Sequence, residues 1–234
     1  MPLIRLFALC AVLTCCAQRA RPNEDAAVSA VVALYNEQLG LACSGVRVAS
    51  DLVLTARHCV ARVDGNSCNA RFASPVSAQT LRVTGSPRLF HGDGTHAVAV
   101  YVPDGDRLCG DDLAVLKLAA ALPGSSQARI EKQLATASTY RAIGYGALNT
   151  RGTGLGERRV HGTGILQKQH NGRWQGSIRV CAGDSGSPAL SDDGRVLAIL
   201  SHAPAQRGCW RGTYTPLEAH AAWLASVLTR AGAR

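Results

Sequence analysis

Six cysteines between residues 43 and 209 restrain this chain more tightly than any other feature. The sequence holds nine cysteines, of which Cys10, Cys15 and Cys16 sit in an apolar leader, leaving Cys43, Cys59, Cys68, Cys109, Cys181 and Cys209. An even set in an exported chain reads as three disulfides, and spacing alone leaves fifteen pairings open. Zinc is the competing use for such a set. The chain has no Cys-x-x-Cys and no His-Glu-x-x-His, and its seven histidines do not cluster, so no metal and no other cofactor is expected.

Export is read from the first residues. Arg5 precedes an apolar run, Leu6 to Leu13, that is too short to span a bilayer, so residues 1–17 are expected to be a signal peptide. Leu13-Thr14-Cys15-Cys16 is similar to a bacterial lipoprotein box with Cys16 as the acylated residue, although Cys15 stands where a smaller residue is usual. Plain cleavage near Ala17 is the alternative. The expected location is therefore secreted, or membrane-anchored through Cys16 on the periplasmic or outer side. Residues 18–29 follow as a polar, flexible segment.

Composition points to short strands. The 234 residues are 47% hydrophobic but only 5% aromatic, with 24 glycines spread among the apolar runs. A net charge of +9 attracts polyanions in general. No basic stretch is interleaved with aromatics, however, so no specific nucleic-acid partner is expected, and the chain is read as a monomer. Strand-like runs lie at 30–35, 41–48, 51–55, 79–84, 96–102 and 113–118, then, past a linker-like 119–126, at 140–145, 160–168, 178–181, 188–190 and 196–201. That is two β lobes. Thr215-Pro216-Leu217-Glu218 has the form of a helix start, and Leu217, Ala221, Leu224 and Leu228 would share one face of the helix over 216–230.

Two other segments carry weaker signals. Gly152, Gly154 and Gly156 lie among arginines, but no helical period follows, so they read as a surface loop and not a phosphate cradle. Asp104, Asp106 and Asp111 lack the ligand spacing of a calcium loop and read as a solvated turn.

The chemistry sits in three short segments: Thr55-Ala-Arg-His58-Cys59, Asp111-Asp112-Leu-Ala-Val-Leu-Lys117 and Cys181-Ala-Gly183-Asp184-Ser185-Gly186-Ser187-Pro188. Together they supply a base, a carboxylate to orient it, a nucleophile and backbone donors for an oxyanion. In this order they closely resemble the chymotrypsin/trypsin family, over roughly Ala30 to the C-terminus. Arg57 and Ser187 stand where that family has alanine and glycine. An α/β-hydrolase would show Gly-x-Ser-x-Gly and the order Ser, Asp, His, and this chain has neither.

The resemblance implies two antiparallel six-stranded β-barrels with a C-terminal helix, an all-β fold. The first barrel would cover about 30–118, the second about 130–214. It implies a serine endopeptidase acting on protein or peptide substrates, in which Ser185 attacks, His58 transfers the proton and Asp112 orients His58. The amides of Gly183 and Ser185 would form the oxyanion hole, and Ser201 would support Asp112. It also implies the bridges Cys43–Cys59 and Cys181–Cys209, which leaves Cys68 with Cys109. A non-catalytic, lipid-anchored surface binding protein on the same fold is the alternative function.

Two departures matter. No Ile-Val-Gly-Gly-like start precedes Cys43, so Asp184 needs a partner other than the usual freed amine. Either processing near Arg21 provides one, or a side chain does, with Arg141 the expected candidate. The residue six before the nucleophile is Arg179, where trypsin has aspartate. With Ala203 and Gly212 leaving the pocket open, Arg179 would select Asp or Glu before the cut, by roughly 4 kcal/mol at about 4 Å and an effective dielectric of about 20. If Arg179 turns away instead, Val180 would shape an apolar pocket.

Overall fold

The structure, a computed structural model, describes residues 22–89, 94–202 and 209–232. The expected signal peptide, with Cys16, lies outside these residues, as does Ala203.

Each lobe closes into a barrel, which pairs every strand on both sides and leaves no open edge. The first is built from β1 (Val31–Asn36), β2 (Leu41–Ala49), β3 (Leu52–Thr55), β6 (Leu81–Thr84), β7 (Thr95–Tyr101) and β8 (Ala114–Leu118), closing in the order β1-β2-β3-β8-β7-β6. Between β3 and β6, β4 (Ala61–Val63) and β5 (Phe72–Pro75) form a separate two-stranded sheet. The second barrel contains β9 (Ala137–Gly144), β10 (Arg159–Lys168), β11 (Trp174–Val180), β12 (Pro188–Leu190), β13 (Val196–His202) and β14 (Trp210–Pro216), in the order β10-β11-β14-β13-β12-β9. All pairings within the barrels are antiparallel. Leu34, Leu52, Leu54 and Leu116 fill the first interior; Tyr140, Leu166, Trp174 and Tyr214 fill the second, with the two tyrosine rings edge-on at 5.5 Å.

Several elements differ from the sequence reading. The segment 18–29, expected to be flexible, contains a helix at Pro22–Ala30. Proline suits a first helical position, and Ala27 and Ala30 are buried against the first barrel while Ser29 Oγ bonds Ser126 Oγ at 2.8 Å. The C-terminal helix runs over Ala221–Arg230 and does not begin at Pro216. Thr215 and Pro216 are still paired in β14 with Ile199 and Ala198, and Glu218 accepts from the Leu134 amide instead of reaching back to cap the helix. Leu217, Leu224 and Val227 are the buried residues there, and Ala221 is exposed. Lastly, β14 and the start of β11 fall outside the strands read from sequence, because Trp210-Arg-Gly-Thr-Tyr-Thr-Pro alternates around a glycine with little apolar content.

Three disulfides join Cys43 to Cys59, Cys68 to Cys109 and Cys181 to Cys209. Cys59, Cys109 and Cys181 lie one, three and four positions from His58, Asp112 and Ser185, so each bridge restrains a segment that carries one of these residues.

Candidate active site

His58 sits in the 3-10 turn Arg57–Cys59 that follows β3, and Asp112 lies two residues before the start of β8, which pairs with β3. The strand pairing therefore brings the two residues together across 54 positions of chain. Asp112 Oδ2 lies 2.8 Å from His58 Nδ1, and Oδ1 accepts from the His58 amide at 2.9 Å. Ser201 Oγ, arriving on β13 of the other barrel, donates to Oδ2 at 2.5 Å. Asp112 is fully buried, while His58 keeps 19% of its side chain exposed. Burial by itself would push the Asp112 carboxyl up, but the His58 charge and the hydrogen bonds from His58 and Ser201 hold it below the usual carboxylate range. Burial likewise works to lower the His58 imidazole, and the charge and hydrogen bond of Asp112 outweigh it, leaving the imidazole raised.

Ser185 lies in the turn between β11 and β12, partly exposed. That turn is held from both barrels. The Gly186 amide donates to Leu200 O at 2.9 Å and the Leu200 amide to Ser187 O at 2.8 Å, so β13 fixes the turn with one residue and Asp112 with the next. From the first barrel, the Ser44 amide donates to Ser185 O at 2.7 Å. The amides of Asp184, Gly186 and Ser187 all donate to backbone carbonyls, whereas among the described residues those of Gly183 and Ser185 make no protein hydrogen bond. These are the two donors expected for an oxyanion. No hydrogen bond joins Ser185 Oγ to His58 Nε2 in this conformation. The two residues are neighbours all the same, since Cys59 Sγ lies 3.9 Å from Nε2 and 3.6 Å from Ser185 O. Such bonds are commonly loose before substrate arrives.

Ser187 fits where the family has glycine because the demand for glycine falls elsewhere. Among the described residues no non-glycine has a positive φ, while Gly183 and Gly186 have φ of +96° and +83°. A Cβ on Gly186 would also strike Ser44 O and Thr55 Oγ1.

Two residues with structural weight at the site escaped the sequence reading. Ser44 is buried at the barrel junction, donating through Oγ to Gly183 O at 2.8 Å and accepting from the Tyr145 amide at 2.9 Å. Its position after Cys43 was the only available signal. His161 Nε2 lies 2.8 Å from Asp184 Oδ1. Asp184 is fully buried; its other hydrogen bonds come from the amides of Gly146 and Cys181, at 2.8 and 2.9 Å. Arg141, the candidate read from sequence, is buried on β9 opposite Leu190 and is not among the partners of Asp184.

Arg57 is buried beside His58, with its guanidinium 4.9 Å from the Phe72 ring centroid and Nη1 donating to Gly105 O at 2.6 Å and Pro103 O at 3.3 Å. The acidic turn is thus partly occupied by protein cations and amides: Asp106 pairs with Arg71 at 2.7 Å, and Asp111 accepts from the Arg107 amide. Arg179 is exposed on β11, and its Nε donates to Cys209 O at 3.2 Å. It alternates with buried Val180, and Gly212 is packed so that a Cβ there would meet Leu200 and Val180.

The model of the family described as Trypsin matches residues 18–224. The chain belongs to the trypsin family. A curated relative, a "Trypsin-like protease" of Streptomyces glaucescens, is 25% identical over 173 residues, covering 66% of this chain and 61% of the relative. The chain thus spans less than two thirds of that relative's length. Among solved structures, the scabies mite inactivated protease paralogue S-I1 is similar with a TM-score of 0.67 at 18% identity, over 88% of this chain and 96% of that one. Human heparin binding protein is similar with a TM-score of 0.66 at 17% identity, over 91% and 95%. At these identities the likeness concerns the fold. As a three-disulfide member of the trypsin family, the chain fits an exported protein in an oxidising compartment.

Proposed function

We propose that this trypsin-family chain is a catalytically competent serine endopeptidase, in which Ser185 attacks the scissile carbonyl, His58 carries the proton and Asp112 orients His58. The observation that carries the reading is the buried Asp112 carboxylate, bonded at once to His58 Nδ1, the His58 amide and Ser201 Oγ. That arrangement fixes the tautomer with Nε2 toward Ser185 and stabilises the imidazolium formed during attack. The uncommitted amides of Gly183 and Ser185 supply the oxyanion donors, each worth about 3 kcal/mol of transition-state stabilisation. A non-catalytic binding role on the same fold, as the names of two structural neighbours illustrate, does not require these features to be retained together. Labelling with a fluorophosphonate tests the proposal. Wild type should label stoichiometrically and Ser185→Ala not at all, and an unlabelled wild type would leave only the binding reading.

For the residue before the cut, we favour an apolar side chain over the acidic one. Arg179 is exposed with its Nε engaged by Cys209 O, and so lies away from the buried side of β11, where Val180 packs in the barrel interior with Leu200 beside Gly212. Peptides differing only in Leu, Glu or Lys at that position should be cleaved fastest after Leu. A Glu preference that vanished in Arg179→Ala would restore the acidic reading. Leader cleavage and acylation at Cys16 stay as proposals, to be read by mass spectrometry of the mature N-terminus.

A further inference from the structure

The Ser185 turn contains a fully buried carboxylate, Asp184, between the two residues whose amides are the oxyanion donors. Such a group needs several donors and, if it is to stay ionised, a cation. Among the described residues its side-chain partners are two backbone amides and the imidazole of His161 on β10. Of these, His161 is the only side chain, and its Nε2 lies within hydrogen-bond distance of Oδ1. The backbone of β10 is arranged to deliver it: the register with β9 slips between Val160 and Gly162, Gly162 has a φ of +137°, and Val160 is left 51% exposed. A bulge of this kind re-aims one side chain, here turning His161 inward until 11% of it remains exposed.

We propose that His161 is the positioning residue that anchors Asp184 and thereby holds the Gly183 and Ser185 amides in place, so that this chain is competent without a freed terminal amine at that carboxylate. The inference rests on the serine endopeptidase reading for its consequence, though not for the contact itself. The charged groups around this corner include Asp184, Arg179 and Arg159, the last paired with Glu157 and donating to the carbonyl of the same Gly146 whose amide holds Asp184. A cavity of about 460 Å³, lined by His161, Arg179, Leu148, Asn149 and Trp210, opens beside the imidazole. A small molecule has room to enter there.

The test uses added imidazole. Removing the side chain in His161→Ala should slow fluorophosphonate labelling of Ser185 at least tenfold. Imidazole at millimolar concentration should restore it saturably, and His161→Gln, which keeps a donor, should lose less than His161→Ala. Acetylating the N-terminus of the wild-type protein should change nothing. Full-rate labelling of His161→Ala, or loss of labelling on acetylation, would overturn the proposal while leaving the endopeptidase reading intact. If His161→Ala fails to fold, or wild type does not label, nitrogen and proton NMR of the Ser185→Ala protein decides the matter. A hydrogen-bonded Nε2–H from His161 that disappears when Asp184→Ala is added to Ser185→Ala supports the anchor, and an Nε2 without a proton removes it.

Discussion

Asp112 engages His58 through both oxygens and shares one of them with Ser201, so the imidazole is fixed in tautomer and in tilt together. On the proposed mechanism the raised His58 pKa has a definite sign for activity, because His58 must be neutral to accept the serine proton. The acid limb of kcat/KM should therefore lie above the ordinary histidine value of about 6.5. In Asp112→Asn the limb should move down and kcat should fall by about 10⁴. For stability, the raised His58 pKa means that its pairing contributes fully below the unfolded value and is lost as pH rises through the folded one. The depressed Asp112 pKa contributes fully above its unfolded value and is lost as pH falls through the folded one. Thermal unfolding against pH should accordingly show the advantage of wild type over His58→Ala shrinking above neutrality.

The turn from Cys181 to Pro188 and the loop after β7 are the elements that shape the site, and each meets a departure from the family pattern that packing explains. Within the turn, glycine is required at 186 and not at 187, because Gly186, unlike Ser187, has a positive φ and a Cβ direction blocked by Ser44 O and Thr55 Oγ1. Gly186→Ala should abolish activity and lower the melting temperature, whereas Ser187→Gly should shift stability by less than about 1 kcal/mol. At the loop, Arg57 clamps Pro103 and Gly105 beneath the chain that leads to Asp112. Arg57→Ala should cost about 2–3 kcal/mol in urea unfolding and lower kcat/KM. Arg57→Lys should recover only part, lacking the guanidinium fork.

The two barrels meet at the candidate site, and Ser44 is central to that junction. Its amide holds Ser185 O, its hydroxyl holds Gly183 O and the Tyr145 amide, and its carbonyl accepts from Thr55 Oγ1. Ser44→Ala would leave the Tyr145 amide and Gly183 O buried without that partner, at about 1–3 kcal/mol each. On heating, this variant should lose hydrolytic activity several degrees before its far-UV circular dichroism changes, with wild type losing both together. Simultaneous loss in the variant would show that the junction and the barrels unfold as one unit.

The local sequence determined the pieces whose signal is contiguous. Apolar alternation marked most of the strands, and the segments around His58, Asp112 and Ser185 stand out because each proposed role requires a particular side chain on a particular turn. The count of cysteines marked three bridges but not their pairing, which came from the family resemblance. Tertiary structure decided whatever depends on residues distant in sequence. Glu218 looked like a capping residue and instead holds the Leu134 amide; Thr215 looked like a cap and is paired in a barrel strand. The buried Asp184 carboxylate demanded a partner that no local pattern identified. His161, 23 residues away, reaches it through a bulge that exists only once β9 and β10 pair, because burial and hydrogen bonding between distant residues are properties of the closed barrel and not of either segment alone.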